Sequence, residues 1–89
     1  MQFEYKPKGV CSSEILMEID DNDHTLQQVK FIGGCNGNLS GIAKLVTGMK
    51  AEDVIERLKG TTCGHKNTSC PDQLSNALEA ALQQLKSGR

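Results

Sequence analysis

The stretch GTTCGHKNTSCPDQ, residues 60–73, joins a short predicted helix to a long one and decides how the chain is organised. It carries two thiols, Cys63 and Cys70, and one imidazole, His65. Gly60 suits the end of the preceding helix, because glycine adopts the left-handed backbone of a C-cap. Loops of this kind carry chemistry more often than core elements do. We therefore expect this loop to contain part of a functional site.

The helix that follows this loop is the most strongly patterned element of the chain. Its start has two interpretations. Cys70 is the cap with Pro71 at the first helical position, or Ser69 is the cap and Asp72 completes a capping box. Both remain open at this point. The apolar residues recur at i, i+3, i+4, i+7, i+8 and i+11, which predicts an amphipathic helix running to Gly88: Leu74, Ala77, Leu78, Ala81, Leu82 and Leu85.

Upstream, the sequence predicts strands and then two further helices. Residues 2–6 alternate as a short edge strand, while Cys11–Ile19 and Thr25–Ile32 form a hairpin around an acidic turn. Helical spacing resumes over 39–48 and again over about 51–59. The predicted fold class is α+β, with a small antiparallel sheet of about three strands and three helices on one face. The 89 residues are expected to form one domain, 1–89.

Composition excludes several classes of function. The net charge is −1 and only three residues are aromatic, so no basic face suited to nucleic acid is expected. No apolar run reaches the 18 or so residues of a membrane span, and the first residues lack the apolar core of a signal peptide. We therefore expect a soluble, cytoplasmic protein without nucleic-acid or membrane partners. In a reducing cytoplasm, clustered cysteines favour metal or redox chemistry over structural disulfides.

The four cysteines are the candidate site residues. No Cys-x-x-Cys pair is present, so neither zinc-finger nor thioredoxin spacing applies. In an antiparallel hairpin the start of the first strand lies beside the end of the second, which places Cys11 near Cys35. The two-residue period also places Cys11 on the face of Ile15. Whether the last helix points its start at this end of the sheet stays open at this point.

Four thiolates suit zinc or an iron–sulfur cluster, both of which take soft ligands in tetrahedral geometry. The predicted metal ligands are Cys11, Cys35, Cys63 and Cys70. His65 could replace one thiol, but a histidine beside a lysine on a loop is more often solvated. His24, in the acidic turn, has a weaker case. A bound metal would also stabilise a small aliphatic core.

The segment Thr68-Ser69-Cys70-Pro71-Asp72 spells the signature of the TSCPD domain family, and the chain resembles that family over nearly its whole length. Gly34-Cys35-Asn36-Gly37-Asn38 and Leu58-Lys59-Gly60 ahead of Cys63 match the same pattern. The family includes small four-cysteine proteins and a domain at the C-terminus of some adenosylcobalamin-dependent ribonucleotide reductases. The resemblance implies an accessory role near such a reductase, with a protein partner.

A fainter similarity links the chain to iron–sulfur scaffolds of the NifU/IscU type. Those scaffolds place cysteines where this chain has Cys11, Cys35 and Cys70. They have an aspartate two residues after the first cysteine, whereas this chain has Ser13. The similarity implies a NifU/IscU-like fold and iron–sulfur machinery as a second candidate partner.

Three functions compete at the sequence level. The first is a metal-binding module that uses all four cysteines. The second is a dithiol redox module serving ribonucleoside-diphosphate reductase, with Cys63 and Cys70 as its first candidate pair. The third is a plain interaction domain with buried cysteines. We do not expect an enzyme in its own right, because no nucleophile–base set can be argued, and a reductase label would reflect family similarity alone.

Overall fold

Alternating apolar and polar residues build a three-stranded antiparallel sheet in the order β1-β2-β3. In this computed structural model, residues 1–10, 12–34, 36–62 and 67–87 are described. The predicted α+β fold class is confirmed, and the element boundaries differ from the predicted ones by a few residues at most. The described residues form strands β1 (Gln2–Tyr5), β2 (Ser12–Ile19) and β3 (Leu26–Gly33), then helices α1 (Asn36–Val46), α2 (Ala51–Leu58) and α3 (Cys70–Ser87).

One face of the sheet is covered by the helices. Met17, at the centre of β2, pairs with Phe3 on one side and Val29 on the other, and its side chain is buried. Its neighbour Glu18 pairs with Gln2 and Gln28 on the opposite, polar face. Helix α1 packs on β3, α3 contacts β1 and β2, and α2 packs on α3. This arrangement is the predicted one, with the helices on a single face.

The alternation along β2 is interrupted near its start. The register with β3 shifts between Ser12 and Glu14, which is the mark of a β-bulge. As a result Ser12 is buried, and Ser13 is exposed although it lies two positions from buried Ile15. The sequence prediction that Cys11 shares the face of Ile15 assumed an unbroken two-residue period, and the bulge removes that assumption. Cys11 itself lies outside the described residues.

Among the three helices, α3 contributes the most residues to the buried core. Leu74, Ala77, Leu78 and Ala81 are fully buried, as the i, i+3, i+4, i+7 spacing predicts. None of the helices in the described ranges is long and apolar enough to cross a membrane. The core cluster adds residues from the sheet and from α1 and α2: Ile15, Met17, Ile19, Leu26, Val29, Val46, Ala51 and Val54.

Candidate functional site

The start of α3 lies against the start of β2. The Cys70 Sγ is 3.3 Å from the Ser12 Oγ, within hydrogen-bond distance for sulfur, and both side chains are buried. Ser12 pairs with Gly33 at the end of β3. Ser12, which follows Cys11 in the sequence, is therefore in contact with Cys70, and its strand partner Gly33 is two positions before Cys35. This answers the question that sequence left open about the direction of α3.

Ser69 caps α3. The backbone N–H of Asp72 donates to the Ser69 Oγ at 3.2 Å, the pattern of an N-cap residue three positions earlier. The same hydroxyl donates to the carbonyl oxygen of Thr61 at 2.5 Å, so it also fastens the segment that follows α2. Of the two predicted caps, Ser69 is the right one. The helix begins at Cys70, which places Pro71 at its second position rather than its first.

The carboxylate of Asp72 does not complete a capping box. Its Oδ1 accepts the backbone N–H of Gly60 at 2.7 Å, and its Oδ2 accepts the Thr68 hydroxyl at 2.6 Å. The Thr68 hydroxyl and then the Gly60 amide hold the pKa of Asp72 below its ordinary value, with Lys59 adding a smaller attraction. Asp72 therefore joins the end of α2 to the segment before Cys70.

Gln73 extends this connection to the loop between β1 and β2. Its Nε2 donates to the Thr68 hydroxyl at 2.9 Å, and its Oε1 accepts the backbone N–H of Lys8 at 3.1 Å. The two segments approach closely here, because a Cβ added at Gly9 would lie 3.3 Å from the Thr68 methyl carbon. Gly9 also has a φ of 74°, a backbone conformation that favours glycine. Loop 6–10 is thus fixed to the first turn of α3.

The described part of the chain contains one of the four predicted ligands. Cys70 is buried, with 8% of its surface exposed. Cys11, Cys35 and Cys63 lie outside the described residues, as does His65. Within the described ranges, no three or more His, Cys, Asp or Glu side chains are grouped to hold a metal ion. The predicted four-cysteine site stays a prediction.

His24 lies at the other end of the strands. Its Nδ1 is 2.5 Å from the Glu52 Oε2 at the start of α2, and its φ is 65°, unusual for a residue other than glycine. Burial raises the pKa of Glu52, but the hydrogen bond with His24 and nearby positive charge leave it below its ordinary value. His24 therefore has a structural role at this turn, with Glu52 as its hydrogen-bond partner.

Sequence reasoning missed the contacts that surround Cys70. Ser12 was ignored because serine in a strand carries no distinctive signal, and a β-bulge is not visible in the hydrophobic pattern. Gln73 and the Lys8 amide were missed because they are 65 positions apart in sequence. The available signal was the dense run of short polar side chains before and after Cys70, which is typical of local hydrogen bonding to backbone.

Comparison with known proteins gives the chain a family. A search of curated proteins and a search of solved structures each found no match. The similarity to NifU/IscU-type scaffolds is therefore not confirmed by a related structure. The family model described as TSCPD domain matches residues 3–82, which include most of β1, all of β2, β3, α1 and α2, and most of α3. The chain belongs to the TSCPD domain family.

Proposed function

We propose that this TSCPD domain is a small accessory module that binds a thiophilic metal, zinc or an iron–sulfur cluster, through Cys11, Cys35, Cys63 and Cys70. Family membership is consistent with an accessory domain related to ribonucleotide reductase. A bound zinc ion would crosslink the segments that carry its ligands, and a bound cluster would add electron transfer. In either case the chain itself would hold the metal.

One observation carries the proposal: the Cys70 sulfur lies against Ser12 where β2 begins and β3 ends. Cys11 immediately precedes Ser12, and Cys35 follows Gly33 by two positions. Positions 11 and 35 are thus one and two residues along the chain from the Ser12–Gly33 pair, and consecutive Cα atoms are about 3.8 Å apart. Ligands at these positions would have only a short distance to span to reach the sulfur of Cys70. Ligands far apart in sequence can meet at such a point without a Cys-x-x-Cys motif.

The donor chemistry around Cys70 fits a soft metal. Cys70 is mostly buried, and the Ser12 hydroxyl is placed to donate a hydrogen bond to a thiolate sulfur. Hydrogen bonds of this kind orient metal ligands and adjust their basicity. Both oxygens of Asp72, the nearest carboxylate along the chain, already accept hydrogen bonds. The set of donors therefore favours sulfur over oxygen ligation, which suits zinc or iron–sulfur rather than calcium or magnesium.

The proposal also assigns a setting. A reducing cytoplasm would keep the four thiols available for metal. The family resemblance suggests a protein partner, either a ribonucleotide reductase or iron–sulfur machinery. Both assignments rest on the chemistry of the cysteines and on the resemblance.

The test is elemental analysis with an absorption spectrum on protein purified without oxygen. We expect about one equivalent of zinc in colourless protein, or iron and sulfide in coloured protein. Metal-free protein with four titratable thiols would overturn the proposal and favour the interaction domain. Metal-free protein with a reversible disulfide would overturn it in favour of the dithiol module.

Single cysteine-to-serine variants make this test specific. Each of the four is expected to lower the metal content or its affinity, because serine is a poor ligand for a soft metal. Ser75→Ala is the matched control: Ser75 is a fully buried hydroxyl on the same helix, bonded to the Asp72 carbonyl at 2.6 Å. Its metal content should equal that of the wild type. A cysteine variant with full metal content would remove that residue from the ligand set.

A further inference from the structure

We infer that Asp72 and Gln73 are positioning residues of the sulfur site: their side chains hold together the segments that lead into Cys11, Cys63 and Cys70. The inference rests on the proposed function and deepens it. We call the side chains of Thr68, Asp72 and Gln73 the clamp. These three residues bind backbone and one another around the first turn of α3.

The clamp is continuous from one loop to the other. The Lys8 amide donates to Gln73, Gln73 donates to the Thr68 hydroxyl, and that hydroxyl donates to Asp72. Asp72 then accepts the amide of Gly60, which closes the series. Each bond is between 2.6 and 3.1 Å. Four consecutive hydrogen bonds thus connect the loop after β1, the end of α2 and the start of α3.

The three connected segments are those that enter the cysteines. Lys8 is three positions before Cys11, Gly60 is three before Cys63, and Thr68 is two before Cys70. In their described residues, 8–10, 60–62 and 67–69, these segments have no helix or strand to fix their course. A metal site needs its ligands held within a narrow range of positions, and supporting hydrogen bonds supply that order. The clamp gives three loops one common reference, the first turn of α3.

The bonds of the clamp at the Thr68 hydroxyl are buried or partly buried, whereas the bond from the Gly60 amide is exposed. Thr68 is 9% exposed and Gln73 is 7% exposed. Every buried side-chain nitrogen and oxygen among the described residues has a hydrogen-bond partner. Removing Thr68 leaves the buried Gln73 amide without its partner, and removing Asp72 leaves the buried Thr68 hydroxyl without its acceptor. Each loss costs more than the bond itself. Because the bonds share the Thr68 hydroxyl and Asp72, the effects of removing single members are not expected to be additive.

The experiment measures zinc affinity by competition with a chromophoric chelator for wild type, Asp72→Ala and Gln73→Ala. Loss of partners that support metal ligands typically lowers affinity 10–100-fold, and we expect a loss in that range for Asp72→Ala. Gln73→Ala leaves the two bonds of Asp72 in place, so its loss should be smaller. Asp72→Asn should recover only part of the affinity, because its amide oxygen can still accept from Gly60 but its NH2 group cannot accept the hydrogen bond of the Thr68 hydroxyl.

Two controls separate positioning from general stability. Asp53→Ala removes an exposed carboxylate from the first turn of α2, the counterpart of Asp72 in α3, and should leave zinc affinity unchanged. Val54→Ala removes a buried side chain outside the clamp, so it should lower stability without a matching loss of affinity in the folded protein. Circular dichroism checks that each variant is folded. Cobalt(II) spectra report sulfur ligation, and the thiolate band should weaken in Asp72→Ala.

The outcomes distinguish the two proposals. A wild type that binds neither zinc nor cobalt, and that contains no iron and sulfide when purified without oxygen, overturns the proposed function, and the inference falls with it. A wild type that binds both, with equal affinities and spectra in Asp72→Ala, overturns the inference alone. If Asp72→Ala fails to fold, Gln73→Ala decides: a folded variant with wild-type affinity overturns the clamp, and weakened affinity supports it.

Discussion

The two ends of the sheet are closed in different ways. At the turn end, formed by residues 20–26 and 48–52, backbone binds backbone: the Leu26 amide donates to the Met49 carbonyl and the Ala51 amide to the His24 carbonyl, each at 2.8 Å. At the cysteine end, formed by residues 8–10, 12, 33–34, 60–61 and 67–73, many of the connections run through side chains near Cys70. The side-chain bonds of the turn end are exposed, whereas those around Cys70 and Thr68 are buried or partly buried.

This difference predicts where substitution is costly. A backbone hydrogen bond survives most changes of side chain, whereas a buried side-chain bond is lost with its residue and leaves a partner unpaired. The turn end should therefore tolerate substitution, while the cysteine end should not. Such dependence on residue type is expected where a site must be held in one geometry. Three substitutions test the comparison, each paired with a counterpart.

Among these pairs, Gly9→Ala and Gly48→Ala are expected to differ most in the unfolding free energy that each loses. Both have positive φ, 74° at Gly9 and 94° at Gly48, so alanine costs about 1–2 kcal/mol of backbone strain at either. A Cβ at Gly48 meets no described atom within 4 Å, whereas at Gly9 it meets the Thr68 methyl at 3.3 Å. Chemical denaturation should show a larger loss of unfolding free energy for Gly9→Ala than for Gly48→Ala.

Thr68→Ser tests the cause of that difference. Serine keeps the hydroxyl of the clamp and removes the methyl group that Gly9→Ala would crowd. In a double-mutant cycle, Gly9→Ala should therefore cost less in the Thr68→Ser background than in the wild type. Equal costs in the two backgrounds would show that crowding against Thr68 plays no part.

Ser69 and Asp20 give a smaller contrast between the two ends. Ser69→Ala removes the cap of α3 and the bond to the Thr61 carbonyl, and should lower the unfolding free energy by about 1 kcal/mol. Asp20 also accepts two backbone amides, of Asn22 and Asp23, but at an exposed turn. Asp20→Ala should stay within about 0.5 kcal/mol of the wild type, because water replaces the carboxylate.

Thermal and chemical unfolding measure the loss of unfolding free energy in Ser69→Ala and in Asp20→Ala. Equal losses, or a greater loss in Asp20→Ala, would contradict the comparison. Ser69→Thr provides a conservative check at the cysteine end, since threonine is also a good N-cap residue. It should retain most of the stability that Ser69→Ala loses.

The fold was predictable from local pattern. The two-residue period found β2 and β3, and the spacing of Leu74, Leu78 and their neighbours found α3, because each depends on residues close in sequence. The turn end was predictable for the same reason: the Asp-Asn-Asp run after Asp20 forms its own hydrogen bonds. The bulge at the start of β2 was not predictable, since it leaves no mark on the apolar pattern.

The site was predictable only in part. The position of Cys70 at a helix start followed from local signals, and the hairpin brought the starts and ends of β2 and β3 together. The approach of α3 to that point could not be derived, because it depends on packing across the whole chain. Nor could the pairing of Gln73 with Lys8, which a polar side chain alone does not specify.

Glu52→Gln is expected to have the smallest effect on stability, and the pH dependence of that effect tests the turn end. Glu52→Gln replaces the exposed carboxylate bound to His24, and should lower the unfolding free energy at pH 7 by about 0.2–1 kcal/mol, the range of exposed pairs. The pKa of Glu52 is lowered in the folded protein. A carboxylate with a lowered pKa stabilises the fold above its unfolded-state pKa, and that contribution is lost as pH falls through the lower folded value.

The quantity to follow is the difference in unfolding free energy between wild type and Glu52→Gln, because the other carboxylates titrate in both proteins and cancel. This difference should shrink as pH falls below the ordinary glutamate pKa of about 4.3. Glu56→Gln, an exposed position one turn further along α2, should show little difference at any pH.

A difference between wild type and Glu52→Gln that grows on acidification would contradict the assigned direction. A difference well above 1 kcal/mol at pH 7 would mean that the turn end also depends on a side chain, and the contrast with the cysteine end would be lost.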